Sequence, residues 1–140
     1  MSDWKISTFM TKNPLSLHPD LSLHLALDNM RKGKFRHIPV LEAGKVYGVL
    51  SLTDAELLIS LQSKRSDILL VKDACTVHPY TVQSNASVRE VCAVMAEKKY
   101  GSAIVTESDK LVGIFTWIDM FQFTNVLFKQ LDSYKQKEKS

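Results

Sequence analysis

Two short segments of the chain place a hydroxyl and a carboxylate three residues apart, each time directly after an apolar run. The first pairs Ser51 with Asp54, and the second pairs Thr116 with Asp119. A carboxylate can accept two hydrogen bonds from a cis-diol, and the unpaired N–H groups at a helix N-terminus favour an anion. Because a helix is expected to begin near each aspartate, both segments could bind a polar, anionic group. The alternative is that the aspartates only cap their helices.

Patterns typical of a catalytic or metal centre are missing from the sequence. We find no signature of a Ser/His/Asp or Cys/His arrangement, a phosphate loop or a paired carboxylate set. The two cysteines, Cys75 and Cys92, are too few for a disulfide framework and form no CxxC or Cys/His cluster. We therefore expect no catalytic residue, no metal site and no enzyme activity.

The composition is that of an ordinary globular protein. The chain has 140 residues, of which 45% are hydrophobic and 24% charged, so it can bury a sizeable core. A formal net charge of +3 is too small to indicate a nucleic-acid partner. No apolar run approaches the ~18 residues of a membrane span, and the N-terminus lacks a signal-peptide core. We expect a cytoplasmic protein that binds neither nucleic acid nor membrane.

An internal repeat is the strongest signal in the sequence. Shifting the chain by 65 positions places residues 11–54 on residues 76–119 without a gap, and ten positions are then identical. Chance would give roughly three at ordinary residue usage. The identities include Asp54 with Asp119, and Gly48 with Gly113. Such a match indicates two copies of one structural unit.

Each copy changes from helical to strand periodicity at the same place. Apolar residues at helical spacing follow Asp20 in the first copy and Asn85 in the second, which predicts a helix capped by each of them. A hairpin of two short apolar strands follows, and a second helix begins near each aspartate. The predicted strands are residues 38–41, 46–52, 103–105 and 111–117.

These elements predict an α/β (α+β) fold of two pseudo-twofold-related repeats, each a β-α-β-β-α unit, packed through their sheets. One unit could not cover both its sheet and its helices, whereas two units could. We assign residues 1–64 to repeat one and residues 65–140 to repeat two, which includes a C-terminal helix over Asp119–Tyr134 and a solvated tail. The polar segment Ser63–Asp67 is the predicted linker.

The doubled junction Gly-h-h-Ser/Thr-x-x-Asp, in which h is hydrophobic, resembles the repeats of the cystathionine-β-synthase (CBS) domain family. The segments at residues 9–14 and 36–40 fit the same pattern, and the resemblance covers about residues 6–125. It implies a stand-alone, bacterial-type Bateman module that forms a homodimeric disc. It also implies no required cofactor, and an adenine nucleotide (AMP, ADP or ATP) as a regulatory ligand bound between the repeats.

The resemblance implies two ligand clefts, in which the aspartate accepts hydrogen bonds from the ribose and the preceding hydroxyl faces phosphate. Cleft one has Ser51, Thr53 and Asp54 of repeat one, and it is closed by these residues of repeat two: Pro79, Tyr80, Thr81, Gly101 and Ser102. Cleft two has Thr116 and Asp119 of repeat two, and it is closed by these residues of repeat one: Pro14, Leu15, Ser16, Arg36 and His37.

The two clefts are not equivalent in charge. Repeat one contributes Arg36 and His37 to cleft two, and repeat two has no counterpart of this pair. Charge-assisted contacts to phosphate are the stronger ones. We therefore expect cleft two to bind a charged nucleotide more tightly, and substitution of Asp119 to cost more affinity than substitution of Asp54.

The sequence leaves three functions open. The first is a ligand-sensing module that transmits nucleotide occupancy through its dimer geometry to an unknown effector protein. The second is an S-adenosylmethionine sensor. The third is a ligand-free structural or dimerisation module, which the apolar last helix favours. Strand alternation would point Trp117 away from Thr116 and into an interface. The apolar residues of that helix are Phe121, Phe123, Leu127, Phe128 and Leu131.

Overall fold

A computed structural model describes residues 4–62 and 69–139 of the chain, so the predicted linker Ser63–Asp67 lies outside the described residues. The helices are α1 (Ile6–Phe9), α2 (Leu23–Gly33), α3 (Leu52–Leu61), α4 (Val71–Ala74), α5 (Val88–Lys98) and α6 (Trp117–Lys139). The strands are β1 (Thr11–Lys12), β2 (His37–Glu42), β3 (Lys45–Ser51), β4 (Thr76–Val77), β5 (Thr81–Gln83), β6 (Ser102–Glu107) and β7 (Lys110–Thr116).

The elements repeat with the same 65-residue shift as the sequence. The helices α2 and α5, and the hairpins β2–β3 and β6–β7, begin and end at equivalent positions of the two copies. The last helices differ, because α3 has 10 residues and α6 has 23. The predicted α/β fold of two repeats is confirmed, but α6 continues beyond Tyr134 to Lys139. Among the helices that the structure describes, none has the length and apolar character that crossing a membrane requires.

The two repeats exchange their first strands. Strand β1 pairs antiparallel with β7 of the other repeat, with Thr11 opposite Ile114. Strand β4 pairs antiparallel with β3 in the same way, with Thr76 opposite Val49. The result is one sheet in the order β1-β7-β6-β5 and another in the order β2-β3-β4. The sequence did not predict this exchange, because a strand of two exposed residues has no apolar periodicity.

The hydrophobic core of each repeat also contains side chains from the other repeat. Ile6 of α1 is fully buried in the core of repeat two, where Phe115 lies. Val71 of α4 is fully buried in the core of repeat one, where Leu50 lies. Each core therefore contains side chains from both halves of the sequence. The boundary at residues 64 and 65 follows the sequence repeat and stays a prediction.

Serines begin the first long helix of each repeat. The hydroxyls of Ser22 and Ser87 each accept a hydrogen bond from the backbone N–H three residues later, at 3.4 and 3.5 Å. The predicted N-caps Asp20 and Asn85 are therefore wrong. Asp20 lies before its helix, and its carboxylate forms an ion pair with Nζ of Lys72 at 3.1 Å. Both residue types are good caps, so sequence preference alone does not separate them.

The glycines of the doubled junction allow the exchanged segments to approach the hairpins. A Cβ atom at Gly48 would overlap the backbone oxygen of Thr76 in β4. A Cβ atom at Gly113 would overlap the side chain of Met10, which lies between α1 and β1. At Gly48 the neighbouring backbone therefore excludes a side chain, whereas at Gly113 a side chain would require Met10 to move.

We expect Gly48→Ala to lower the free energy of unfolding by about 3 kcal/mol and Gly113→Ala by about 1 kcal/mol. The added methyl group at Gly48 meets a backbone carbonyl that moves only with its strand, whereas at Gly113 it meets a flexible methionine. Urea unfolding measures both values, and Leu57→Ala on the exposed face of α3 is the control. A larger cost at Gly113 than at Gly48 would contradict the described packing.

Candidate functional site

The candidate site is a cleft of about 410 Å³ between the two repeats. Six of its nine lining residues were predicted from the sequence, and they come from both predicted clefts. The structure thus brings parts of cleft one and cleft two into a single cavity. Repeat one contributes Arg36, His37, Ser51 and Thr53, and repeat two contributes Gly101, Thr116, Trp117, Ile118 and Phe121.

The cleft forms where the hairpin of each repeat ends and the following helix begins. His37 lies opposite Ser51 at the end of the β2–β3 hairpin. Ser102 lies opposite Thr116 at the equivalent end of the β6–β7 hairpin. The two strand-to-helix junctions therefore meet at the boundary between the repeats, and each contributes a hydroxyl to the lining.

His37 packs across this boundary against Gly101. A Cβ atom at Gly101 would lie 2.7 Å from Nε2 of His37, so a larger residue would displace the imidazole. Burial and the neighbouring charge of Arg36 lower the pKa of His37 below its ordinary value of 6.5, against a smaller opposing effect of Asp54. The imidazole is therefore neutral at pH 7, and Arg36 is the cation of the cleft lining.

The start of α3 presents both hydroxyl and amide donors near this cation. The backbone N–H of Leu52 donates to the backbone oxygen of Arg36 at 2.8 Å, which holds the arginine beside the first turn of α3. Ser51 caps the helix by accepting a hydrogen bond from the N–H of Asp54 at 3.1 Å. Thr53 is exposed and lines the cleft. This arrangement suits an anion.

The two repeat-related aspartates have different environments. Asp54 is exposed, and its carboxylate makes no hydrogen bond or ion pair to the residues that the structure describes. Asp119 is only 5% exposed. One of its oxygens, Oδ1, accepts a hydrogen bond from Oγ1 of Thr11 at 3.0 Å. The other, Oδ2, accepts from the N–H and the hydroxyl of Thr116, at 2.9 and 3.4 Å.

Nine of the predicted site residues do not line the central cavity. Some of them have partners of their own: Tyr80 stacks on Tyr100 with ring centroids 5.3 Å apart, and Thr81 donates to the backbone oxygen of Pro79 at 2.9 Å. Ser102 is buried within β6. The nine are Pro14, Leu15, Ser16, Asp54, Pro79, Tyr80, Thr81, Ser102 and Asp119.

Three apolar residues of the lining were not predicted. Trp117, Ile118 and Phe121 lie at the start of α6 and are 57, 57 and 63% exposed. Trp117 was expected to alternate with Thr116 along a strand, but it begins the helix, and its Nε1 donates to the backbone oxygen of Tyr100 at 3.4 Å. Their position just after the second junction was the signal that could have identified them.

Neither a metal cluster nor a reactive cysteine is indicated by the described ranges. Within residues 4–62 and 69–139, no three His, Cys, Asp or Glu side chains are placed to hold a metal ion. Burial raises the pKa of the Cys75 and Cys92 thiols, which keeps them protonated at neutral pH. The side chains that line the cleft offer a cation, hydroxyl groups and apolar surface.

Comparison with protein families matches the CBS domain to residues 6–59 and 71–124, which is more than half of the chain. Three curated relatives are similar. Zinc metalloprotease MJ0392 of Methanocaldococcus jannaschii is 27% identical over 88% of this chain, and inosine-5'-monophosphate dehydrogenase of Korarchaeum cryptofilum is 27% identical over 84%. The chain spans only 33% and 24% of these two proteins. YlbB of Bacillus subtilis is 31% identical over 79% of this chain and 80% of its own length.

Solved structures share the fold along nearly the whole chain. The AcuB protein of Vibrio cholerae, assigned to acetoin utilization, has a TM-score of 0.84 and 25% identity, and the match covers 94% of this chain and 98% of AcuB. CBSX2, solved in complex with AMP, has a TM-score of 0.76 and 23% identity, covering 89% and 98%. The CBS pair of MJ0100, solved with 5'-methylthioadenosine and S-adenosyl-L-methionine, has a TM-score of 0.78 and 20% identity, covering 89% and 98%. The chain therefore belongs to the CBS domain family, as a tandem pair of CBS domains.

Proposed function

We propose that this chain is a regulatory module that binds an adenine nucleotide between its two CBS repeats. The observation that carries the proposal is the inter-repeat cleft, in which one cation and several hydroxyls face apolar side chains of α6. Two proteins of the same fold support it, because CBSX2 was solved with AMP and the MJ0100 pair with two adenosyl compounds. An adenosyl group is common to all three ligands.

The repeat-one wall of the cleft supplies the groups that can bind the phosphate. Arg36 supplies a permanent positive charge that can bind phosphate oxygens in a bidentate manner. The hydroxyls of Ser51 and Thr53, together with the first turn of α3, add donors that do not repel an anion. The exposed carboxylate of Asp54 is not part of the cavity lining, but it follows Thr53 in the same turn and is close enough to His37 to influence its pKa. It can therefore accept hydrogen bonds from ribose hydroxyls at the rim of the cleft.

The repeat-two wall accounts for a preference for a nucleotide over a bare anion. Trp117, Ile118 and Phe121 give the cleft an apolar side. A small-molecule site typically has a volume of about 300–1,000 Å³, is mostly apolar and has a few placed polar groups. Contact with a nucleoside covers apolar side chains that are now more than half exposed.

Regulation follows from the position of the cleft. A ligand that contacts both walls stabilises one relative orientation of the repeats. Helix α6 begins in the cleft and continues beyond the core of repeat two, because every described residue from Phe128 onward is exposed. We place the regulated catalysis or transport on an effector protein, which α6 would contact, and we place none in this chain.

Isothermal titration calorimetry with AMP, ADP, ATP and S-adenosylmethionine tests the proposal. We expect at least one of the four to bind with Kd below about 1 mM, which corresponds to roughly 4 kcal/mol of binding free energy. A protein that releases no heat with any of them at millimolar concentration would contradict the proposal. A tighter affinity for S-adenosylmethionine than for the nucleotides would favour the alternative sensor.

Arg36→Ala should weaken AMP binding at least about tenfold, since a hydrogen bond to a charged group contributes about 1.5–3 kcal/mol. Adenosine, which has no phosphate, should bind the variant and the original protein equally. Arg31→Ala is the matched control, because Arg31 is an exposed arginine of α2 outside the cleft. Equal losses for AMP and adenosine would show that Arg36 does not bind the phosphate.

AMP binding should strengthen as the pH falls, because of His37. Its pKa is lowered in the free protein, and a phosphate beside the ring would raise this pKa, so binding takes up a proton. Affinity then increases as the pH decreases through the window between the two pKa values. His37→Gln should remove this component and leave the titration of the nucleotide's own phosphate, whose second pKa is about 6. Identical pH profiles of AMP affinity for the original protein and His37→Gln would argue against a contact between His37 and the phosphate.

Self-association through α6 is a second candidate function. Phe121, Phe128 and Leu131 are 63, 60 and 55% exposed, which is a large apolar surface for a single helix. The spacings of seven and three residues between them are compatible with one side of a helix. We propose a homodimer in which α6 forms part of the interface.

Sedimentation velocity at tens of micromolar tests this interface. We expect a dimer for the original protein and a shift towards monomer for Phe128→Lys, because a buried, unpaired ammonium group is strongly unfavourable. Leu25→Lys replaces an equally exposed apolar residue of α2, which is 57% exposed, and should leave the dimer intact. A monomeric original protein would exclude α6 as a strong self-association surface.

A further inference from the structure

We infer that the hydrogen bond between Thr11 and Asp119 is a latch that withholds Asp119 from ligands, so that each chain binds one adenine nucleotide, with Asp54 accepting the ribose. The inference rests on the proposed function for the identity of its ligand. It reverses the expectation that cleft two, which contains Asp119, is the tighter site. It also gives the exchanged strand β1 a direct effect on ligand stoichiometry.

The repeat provides an internal comparison for this latch. A shift of 65 residues places Thr11 on Thr76 and Asp54 on Asp119, so both copies have the same two residue types. Both threonines lie on exchanged strands at equivalent pairings. Thr11 donates to Asp119 at 3.0 Å, whereas the described residues show no hydrogen bond between Thr76 and Asp54. The contact is therefore made in one copy only.

The two helix starts explain the difference. At α3 the hydroxyl of Ser51 is the acceptor for the N–H of Asp54, and the Asp54 carboxylate has no hydrogen-bond partner among residues 4–62 and 69–139. At α6 the carboxylate of Asp119 is itself the acceptor for the N–H and the hydroxyl of Thr116. With Thr11 on its other oxygen, Asp119 accepts three hydrogen bonds and is 5% exposed. To bind Asp119, a ribose diol would have to displace these protein donors. The protein hydrogen bonds that are lost would then offset the hydrogen bonds that the ribose forms.

Among the described residues around the cleft, the charged and hydroxyl groups without a hydrogen-bond partner lie on repeat one. Arg36, Thr53 and the free carboxylate of Asp54 surround the start of α3. The equivalents of the first two in repeat two are Gly101 and Ile118, which provide neither charge nor hydroxyl. One nucleotide can therefore find its phosphate and ribose partners at α3, and a second nucleotide finds neither free at α6.

Calorimetry that counts AMP molecules per chain tests the inference, with thermal unfolding as an independent readout. We expect one AMP per chain for the original protein and at least a tenfold loss of affinity for Asp54→Asn. Thr11→Val should expose Oδ1 of Asp119 and add a second, weaker binding event. It should also lower the unfolding midpoint by about 3 °C, the shift expected for one lost hydrogen bond.

Thr76→Val is the matched control, because Thr76 occupies the equivalent position without the contact, and it should change neither the stoichiometry nor the midpoint by a comparable amount. Thr11→Ser retains the hydroxyl and should behave like the original protein, which separates the latch from a general disturbance of β1.

Two AMP molecules bound per chain with similar affinity would overturn the inference while leaving the proposed function intact. Equal midpoint shifts for Thr11→Val and Thr76→Val would also overturn it. Absence of AMP binding to the original protein would overturn the proposed function and the single-site claim together.

Discussion

Pairing between β1 and β7, and between β4 and β3, joins the two repeats, and the cleft depends on this pairing. Each exchanged strand lies directly against the strand whose end carries the Ser/Thr-x-x-Asp junction. Gly48 and Gly113 make this approach sterically possible. Because each core also contains a helix from the other half of the sequence, neither repeat can close its core alone. The two junctions are thereby held face to face at one cavity.

Much of the scaffold could be predicted from local patterns. The 65-residue repeat, the two hairpins and the helices after each junction follow from periodicity and from identical positions. The exchange of β1 and β4 could not be predicted, because two-residue strands depend on a tertiary partner for their conformation. The same reason explains the N-caps: Asp20 and Ser22 are both suitable by residue type, and the structure shows that Ser22 caps α2 while Asp20 pairs with Lys72.

The site was predictable in its residue types but not in its accessibility. Six of the nine lining residues follow from the family pattern. The unequal environments of Asp54 and Asp119 do not, because Thr11 lies 108 positions away from Asp119 in the sequence. Likewise, Arg36 and His37 were assigned to cleft two, and the structure places them in one cavity with Thr116 of cleft two and with Ser51 and Thr53 of cleft one. The two repeats therefore share equivalent first long helices and hairpins, while a few side chains make the two potential sites different.

A crystal structure of the protein grown with AMP tests the central claim most directly, since that claim concerns where the nucleotide lies. We predict one AMP in the inter-repeat cleft, with its phosphate within hydrogen-bonding distance of Arg36 and its ribose hydroxyls on the carboxylate of Asp54. The bond between Thr11 and Asp119 should be retained in the complex. AMP bound with its ribose on Asp119, or bound outside the cleft, would contradict this account.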